Sequence, residues 1–195
     1  MNQNIEIEYK NLLTESEYAR LYKTLNFAED NSFVQENIYF DTKDFSLKQK
    51  RLALRIRIKD QQAEMTLKSP HKGHLLETNH MLQLDEARTL IKNRTLKPEG
   101  KIAEVLTSYD IDLTLPIQVF AQLKTKRVEK AEKNSLIVLD KSWYADQVDY
   151  ELEVESSTAA EGTELFEQLL KELHIPKRET PNKIARAFAA LNIEY

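Results

Sequence analysis

Cysteine is absent from the 195 residues, so the chain can form no disulfide, present no thiolate nucleophile and build no zinc–thiolate site. Glycine occurs three times, as Gly73, Gly100 and Gly162. That is too few for a Gly-rich phosphate loop or a dinucleotide fingerprint, and any phosphate the chain binds must be held by side chains. No apolar run approaches the roughly 18 residues that a spanning helix needs, and no membrane partner is expected. The opening Met1-Asn2-Gln3-Asn4-Ile5-Glu6 has neither the basic patch nor the apolar stretch of a secretory leader, and a cytoplasmic location is expected. Nor is there an excess of basic charge. The 28 Lys and Arg against 32 Asp and Glu leave a net −4, which argues against a nucleic-acid polymer as partner.

What is present is a globular composition, 41% hydrophobic and 31% charged, in a length that predicts one domain spanning 1–195. There is no internal repeat. Residues 5–10, Ile-Glu-Ile-Glu-Tyr-Lys, alternate with the period of a strand. Thr14-Glu15-Ser16-Glu17 has the form of a capping box and predicts a helix to about residue 27. Further strands are predicted at 33–41, 51–59, 63–69 and 75–83, with a turn or short helical piece after Asp41 and a tight turn at Asp60. Two amphipathic helices are predicted to open near Asp85 and Pro98, followed by long strands at 116–130, 135–145 and 147–155. Helices at 161–173 and 182–191 end the chain. Several neighbouring strands are joined too tightly for parallel crossovers, so the class is α+β with a largely antiparallel sheet.

The informative feature is the sorting of charge by face. Glu6, Glu8 and Lys10 share one face; so do Arg55, Arg57 and Lys59, then Glu64, Thr66 and Lys68, then Glu151, Glu153 and Glu155. One such strand is an ordinary solvated face. The acidic pairs near both chain ends and the basic set on the Arg55 strand, like charges that gain nothing from each other, instead suit a closed barrel with helices on its apolar exterior and charges in its lumen, balanced by a ligand or ions.

These residues resemble the CYTH family, the triphosphate tunnel metalloenzymes. Its Glu-x-Glu-x-Lys signature corresponds to Glu6-Ile7-Glu8-Tyr9-Lys10. The likeness continues in order through Leu54-Arg55-Ile56-Arg57, Thr66-Leu67-Lys68, Lys124-Thr125-Lys126-Arg127, Leu139-Asp140, Tyr150-Glu151-Leu152-Glu153-Val154-Glu155 and Asn182-Lys183-Ile184-Ala185-Arg186. The resemblance implies a closed eight-stranded antiparallel β tunnel with a charged lumen, flanked by helices, that takes a small-molecule triphosphate and a divalent metal. By position it assigns Lys10, Arg55, Arg57, Lys68, Arg127 and Lys183 to phosphate oxygens, with Lys10, Arg55, Arg57 and Lys183 as catalytic groups. It assigns Glu6, Glu8, Asp140, Glu151 and Glu153 to the metal. In the 124–127 stretch the basic residue could be Lys124, Lys126 or Arg127; alternation puts Arg127 on the opposite face from both lysines, and Arg127 is favoured.

A linear triphosphate carries roughly four to five negative charges near neutral pH, and Arg forks with Lys point charges can grip it without a backbone cradle. Hard carboxylate oxygens suit Mg²⁺ or Mn²⁺. Metal-assisted phosphoryl transfer to water from inorganic tripolyphosphate or a small organic triphosphate such as thiamine triphosphate is the expected reaction. A class IV adenylyl cyclase, with ribose 3′-hydroxyl attack on the α-phosphorus of ATP, would use the same groups. A non-catalytic polyphosphate or nucleotide sensor is the reading from another class. Lys183, in the first turn of its helix where a cation is disfavoured, implies an anion nearby. Long strands with one apolar face would allow a homodimer.

Overall fold

The computed structural model describes residues 2–28 and 31–191. The chain opens with strands β1 (Asn2–Glu6) and β2 (Glu8–Leu13) and helix α1 (Glu15–Thr24). Thr14 caps α1 as its sequence predicts: the hydroxyl accepts from Glu17 N at 3.2 Å, and the Glu17 carboxylate accepts from Thr14 N at 2.7 Å. Then come β3 (Phe33–Asp41), a one-turn α2 (Ser46–Gln49), β4 (Ala53–Lys59), β5 (Gln62–His71) and β6 (His74–Leu82). Helix α3 (Leu84–Asn93), the two-residue β7 (Thr95–Leu96) and α4 (Gly100–Ser108) make up the middle of the chain. The long β8 (Ile117–Glu132), β9 (Ser135–Tyr144) and β10 (Gln147–Ser156) precede α5 (Ala159–Glu172) and the short α6 (Lys183–Ala189).

The strands form one antiparallel sheet in the order β1-β6-β5-β4-β3-β8-β9-β10-β2, with β7 added on β8. The hairpin turns are tight; between β5 and β6, Lys72 and Gly73 both have positive φ, +47° and +85°, as a two-residue turn requires.

The sheet curls into an open half-barrel, not the closed eight-stranded barrel expected from the sequence. Its two ends are the two halves of the N-terminal segment. β1 pairs with β6 up to Glu6↔Leu75, next to the start of β6, and β2 pairs with β10 from Glu8↔Glu155, next to the end of β10. Both partner strands therefore run out at Ile7, whose carbonyl still accepts from Ser156 N at 3.0 Å. Among the described residues no ladder joins β1 to β2, and the two ends of the open sheet are linked only through the chain at Ile7. The outer edge of β2 is covered by the segment before α6: Leu12 N donates to Thr180 Oγ1 at 2.9 Å, and Arg178 Nη1 donates to Leu12 O at 2.8 Å.

Apolar residues of alternate parity leave the convex face. Ile38, Phe40, Leu54, Ile56, Met65 and Leu67 pack under α2, α3 and α4, while Leu13, Val128, Leu139, Leu152 and Val154 pack under α1 and α5. A third, smaller cluster of Tyr39, Ala121, Leu123 and Tyr144 receives Ala187 of α6. Beyond this cluster, the concave face carries most of the sheet's charged side chains, with a few apolar ones such as Tyr39 and Ala53. Among the described residues no helix is long and apolar enough to cross a membrane.

Candidate functional site

The concave face encloses a cavity of about 920 Å³. All six basic residues singled out in the sequence line it: Lys10 from β2, Arg55 and Arg57 from β4, Lys68 from β5, Arg127 from β8 and Lys183 from α6. Lys124 and Lys126 are not among its lining residues, so the parity question at 124–127 resolves to Arg127. Of the carboxylates, Glu6, Glu8 and Glu153 line the cavity, while Asp140 and Glu151 are fully buried behind it.

On the β4 wall, cations are short of counter-charge. Arg55 reaches one carboxylate, Glu77, at 3.8 Å, and its buried Nε has no hydrogen-bond partner among the described residues. Arg57 gives its Nε to the neutral amide of Asn37 at 2.9 Å. Burial, then the neighbouring Arg55 and Arg127, depress its pKa to about 10. Beside them Lys68 is held by Glu6 at 2.6 Å and Glu77 at 3.0 Å. Burial, with Glu8 and Glu77 adding repulsion against the attraction of Lys68, pushes the Glu6 carboxyl up to about 7.

On the opposite wall, acids converge. Glu8, Glu153 and Glu155 each offer an oxygen, all within 4.8 Å of one another. The register explains the meeting, because Glu8 stands opposite Glu155 across the β2–β10 ladder and Glu153 stands two residues along the same face. Lys10 Nζ donates to Glu8 at 2.8 Å. This set of hard oxygen donors fits a small divalent cation.

Behind this wall the remaining acids are paired. Arg127 donates bidentately to Asp140 at 2.8 and 2.7 Å and to Glu153 at 2.7 Å. The Lys183 ammonium lies 2.9 Å from Asp140 and 3.0 Å from Glu151, and it also contacts Glu153. Burial opposes its charge, but Asp140, Glu153 and Glu151 outweigh burial and hold the ammonium well above its ordinary range. Burial would likewise raise Glu153, yet Lys183 and Arg127 hold it well below the usual carboxylate range. The anion expected near Lys183 is thus, in this structure, a trio of the protein's own carboxylates.

Glu155 and Glu77 stand among the charged cavity residues that the sequence reading left without a role. Glu155 shares the face of Glu151 and Glu153, so its parity was already sufficient to include it. Glu77 faces Lys68 across the β5–β6 ladder, and only the position of the Lys72–Gly73 turn makes that register countable. The histidines contribute little: His74 lies on the cavity rim, and no histidine belongs to the acidic group.

The CYTH domain family matches residues 4–188. YjbK of Bacillus subtilis (strain 168), whose name proposes a triphosphatase, is 45% identical over 188 residues, 96% of either chain. The crystal structure of bh2851 from Bacillus halodurans, whose name proposes an adenylate cyclase, is 36% identical with a TM-score of 0.90, covering 96% of this chain and 100% of that one. HpAC1 from Hippeastrum, for which a dominant triphosphatase activity is given, is 21% identical with a TM-score of 0.73 over 97% of both chains, a likeness of fold.

Proposed function

The chain belongs to the CYTH domain family, and from that premise we propose that it is a metal-dependent hydrolase of triphosphate-bearing small molecules, acting as one unit over 1–195 and cleaving the terminal phosphate. One observation carries the reading: the under-compensated pair Arg55 and Arg57 faces the Glu8, Glu153 and Glu155 cluster across a single cavity. The arginines cost stability unless an anion meets them, and the acids, which Lys10, Arg127 and Lys183 compensate from one side, converge their oxygens where a cation could be held. A triphosphate with Mg²⁺ or Mn²⁺ satisfies both together. The name of the B. subtilis relative supports the same substrate class.

In this reading Arg55 and Arg57 fork onto non-bridging oxygens, Lys10, Lys68 and Lys183 add point charges along the chain of phosphates, and Arg127, whose Nε and Nη2 are taken by Asp140 and Glu153, adds its Nη1. Glu8, Glu153 and Glu155 would hold the metal, with Glu6 on the same cavity and Asp140 buried behind it. A divalent ion there supplies charge neutralisation at the phosphoryl oxygens. The protein's cations offset charge developing on the leaving diphosphate, and a cavity carboxylate orients the attacking water.

The same groups would serve attack by a ribose hydroxyl, and the name of the B. halodurans relative favours that second reading. One experiment separates them: incubation with tripolyphosphate, thiamine triphosphate or ATP, each with Mg²⁺, Mn²⁺ or chelator, with orthophosphate, pyrophosphate and cyclic AMP followed. Metal-dependent orthophosphate release is the expected result. Pyrophosphate with cyclic AMP would establish the cyclase instead, and metal-dependent binding without turnover would leave a sensor.

A further inference from the structure

Arg186 lies outside the cavity yet touches its charge network. It follows Lys183 by three residues on α6, so both side chains leave the same face of the helix. Glu151 receives both of them. Its Oε1 accepts from Lys183 Nζ at 3.0 Å, and its Oε2 accepts from Arg186 Nη2. Of the rest of the guanidinium, Nη1 donates to Pro181 O at 2.6 Å, while Nε lies 2.8 Å from Asp149 Oδ2 as an ion pair without hydrogen-bond geometry. Asp149 is itself braced, accepting the Tyr144 hydroxyl at 2.5 Å. Two differently directed hydrogen bonds, from Nη1 and Nη2, fix the planar fork in orientation, and the ion pair with Asp149 adds to its hold.

Asp140, Asp149, Glu151 and Glu153 face three cations, Arg127, Lys183 and Arg186. Removing Arg186 would leave Glu151 with Lys183 as its one ion-pair partner, and the ammonium would be held harder by the carboxylates it already touches and be less available to the cavity it borders. Glu151 itself is shut off from the cavity, its side chain 1% exposed with both oxygens occupied.

We propose that Arg186, braced by Asp149 and Tyr144, is a positioning residue. By occupying Glu151 it sets the Lys183 ammonium at the cavity edge, and Glu151 serves as the dock for α6 rather than as a metal ligand. The proposal rests on the triphosphate reading in one respect, the identity of the anion that Lys183 meets.

The test compares tripolyphosphate affinity, by calorimetry with Mg²⁺, in the wild type, Lys183→Ala, Arg186→Ala, their double variant and Arg186→Ala combined with Glu151→Gln. Arg186→Ala is expected to weaken binding about tenfold, the size of one lost charge-assisted contact. The double variant should be no weaker than Lys183→Ala, and neutralising Glu151 should restore most of the loss, which a merely structural role would not allow. Losses that add in full, or that Glu151→Gln leaves unrepaired, overturn the proposal. Amide exchange of residues 183–189, run without ligand, should quicken in Arg186→Ala; an equally protected α6 overturns the docking role. If wild-type protein binds no tripolyphosphate, the proposed function falls, and exchange in the same variants alone decides the dock. Should Arg186→Ala fail to fold, Arg186→Lys, which keeps the charge and loses the fork, is read in its place.

Discussion

Arg57 is a residue whose surroundings make sense only with something else present. Its partner Asn37 is neutral, its neighbour Arg55 repels it, and burial withdraws the water that would otherwise solvate it. Arg57→Met removes a poorly compensated cation while keeping most of the volume, so ligand-free stability should hold or rise. Triphosphate affinity should fall by about 2 kcal/mol, the scale of one lost charged contact. Thermal melts with and without tripolyphosphate and Mg²⁺ check both parts; a lower ligand-free Tm with an unchanged ligand shift would remove Arg57 from the site. The charged faces at 6 and 8, 55 and 57, and 151 to 155 were legible because a strand's side chains alternate with period two, whatever their neighbours. The partners were not. That Glu151 is spoken for by α6, that Arg127 pairs with Asp140, and that Glu77 stands beside Lys68 all depend on which strand lies next to which, and at what register. No local pattern carries that.

At the scale of elements, the wall bearing Glu8, Lys10, Glu153 and Glu155 is backed by α5, and Gly162 sets how near that helix comes. A Cβ at Gly162 would stand 2.7 Å from Tyr9 Cε2 and 2.9 Å from Ser156 Cβ. Tyr9 cannot swing freely, because its hydroxyl donates to Ala159 O at 2.9 Å and its ring packs against Phe166. Alanine is the better helix former by about 1 kcal/mol, yet Gly162→Ala should destabilise by about 1–3 kcal/mol through overpacking. Urea unfolding measures it, and a stabilised variant would show that helix and wall do not meet as described. Most elements were legible for similarly local reasons: the capping box at Thr14, the tight turn at Asp60, and alternation through 135–155. Closure was not. Alternation runs unbroken through Ile5 to Lys10, and nothing in it marks Ile7 as the place where two partner strands end. α1 also stops at Thr24 rather than near 27, since Asn26 takes a φ of +52°.

For the molecule as a whole, crowding carboxylates into a shared cavity makes stability depend on pH, and the sign follows from the folded-state pKa values. Burial raises Glu6 to about 7, with Lys68 opposing and Glu8 and Glu77 adding to the rise; burial also raises Glu151 to about 7, against the pull of Lys183. A carboxyl with a raised folded pKa binds its proton more tightly when folded. Its contribution is complete below about pH 4.5 and is lost as pH climbs through about 7. Glu153 and Glu77 act in the opposite sense, because cations outweigh burial and hold them low; their contribution is present above about pH 4.5 and fades in acid. The total curve therefore mixes both signs, and a difference isolates one group. Relative to Glu6→Gln, ligand-free wild type should lose about 1–2 kcal/mol of stability between about pH 5 and pH 8, a figure discounted for solvent screening and coupling. A divalent cation on the neighbouring Glu8 cluster favours ionised Glu6, so saturating Mg²⁺ should flatten that difference. Urea melts across this range decide it: a difference that rises with pH would mean that Lys68 outweighs burial at Glu6, and one that Mg²⁺ leaves unchanged would place the ion away from this wall.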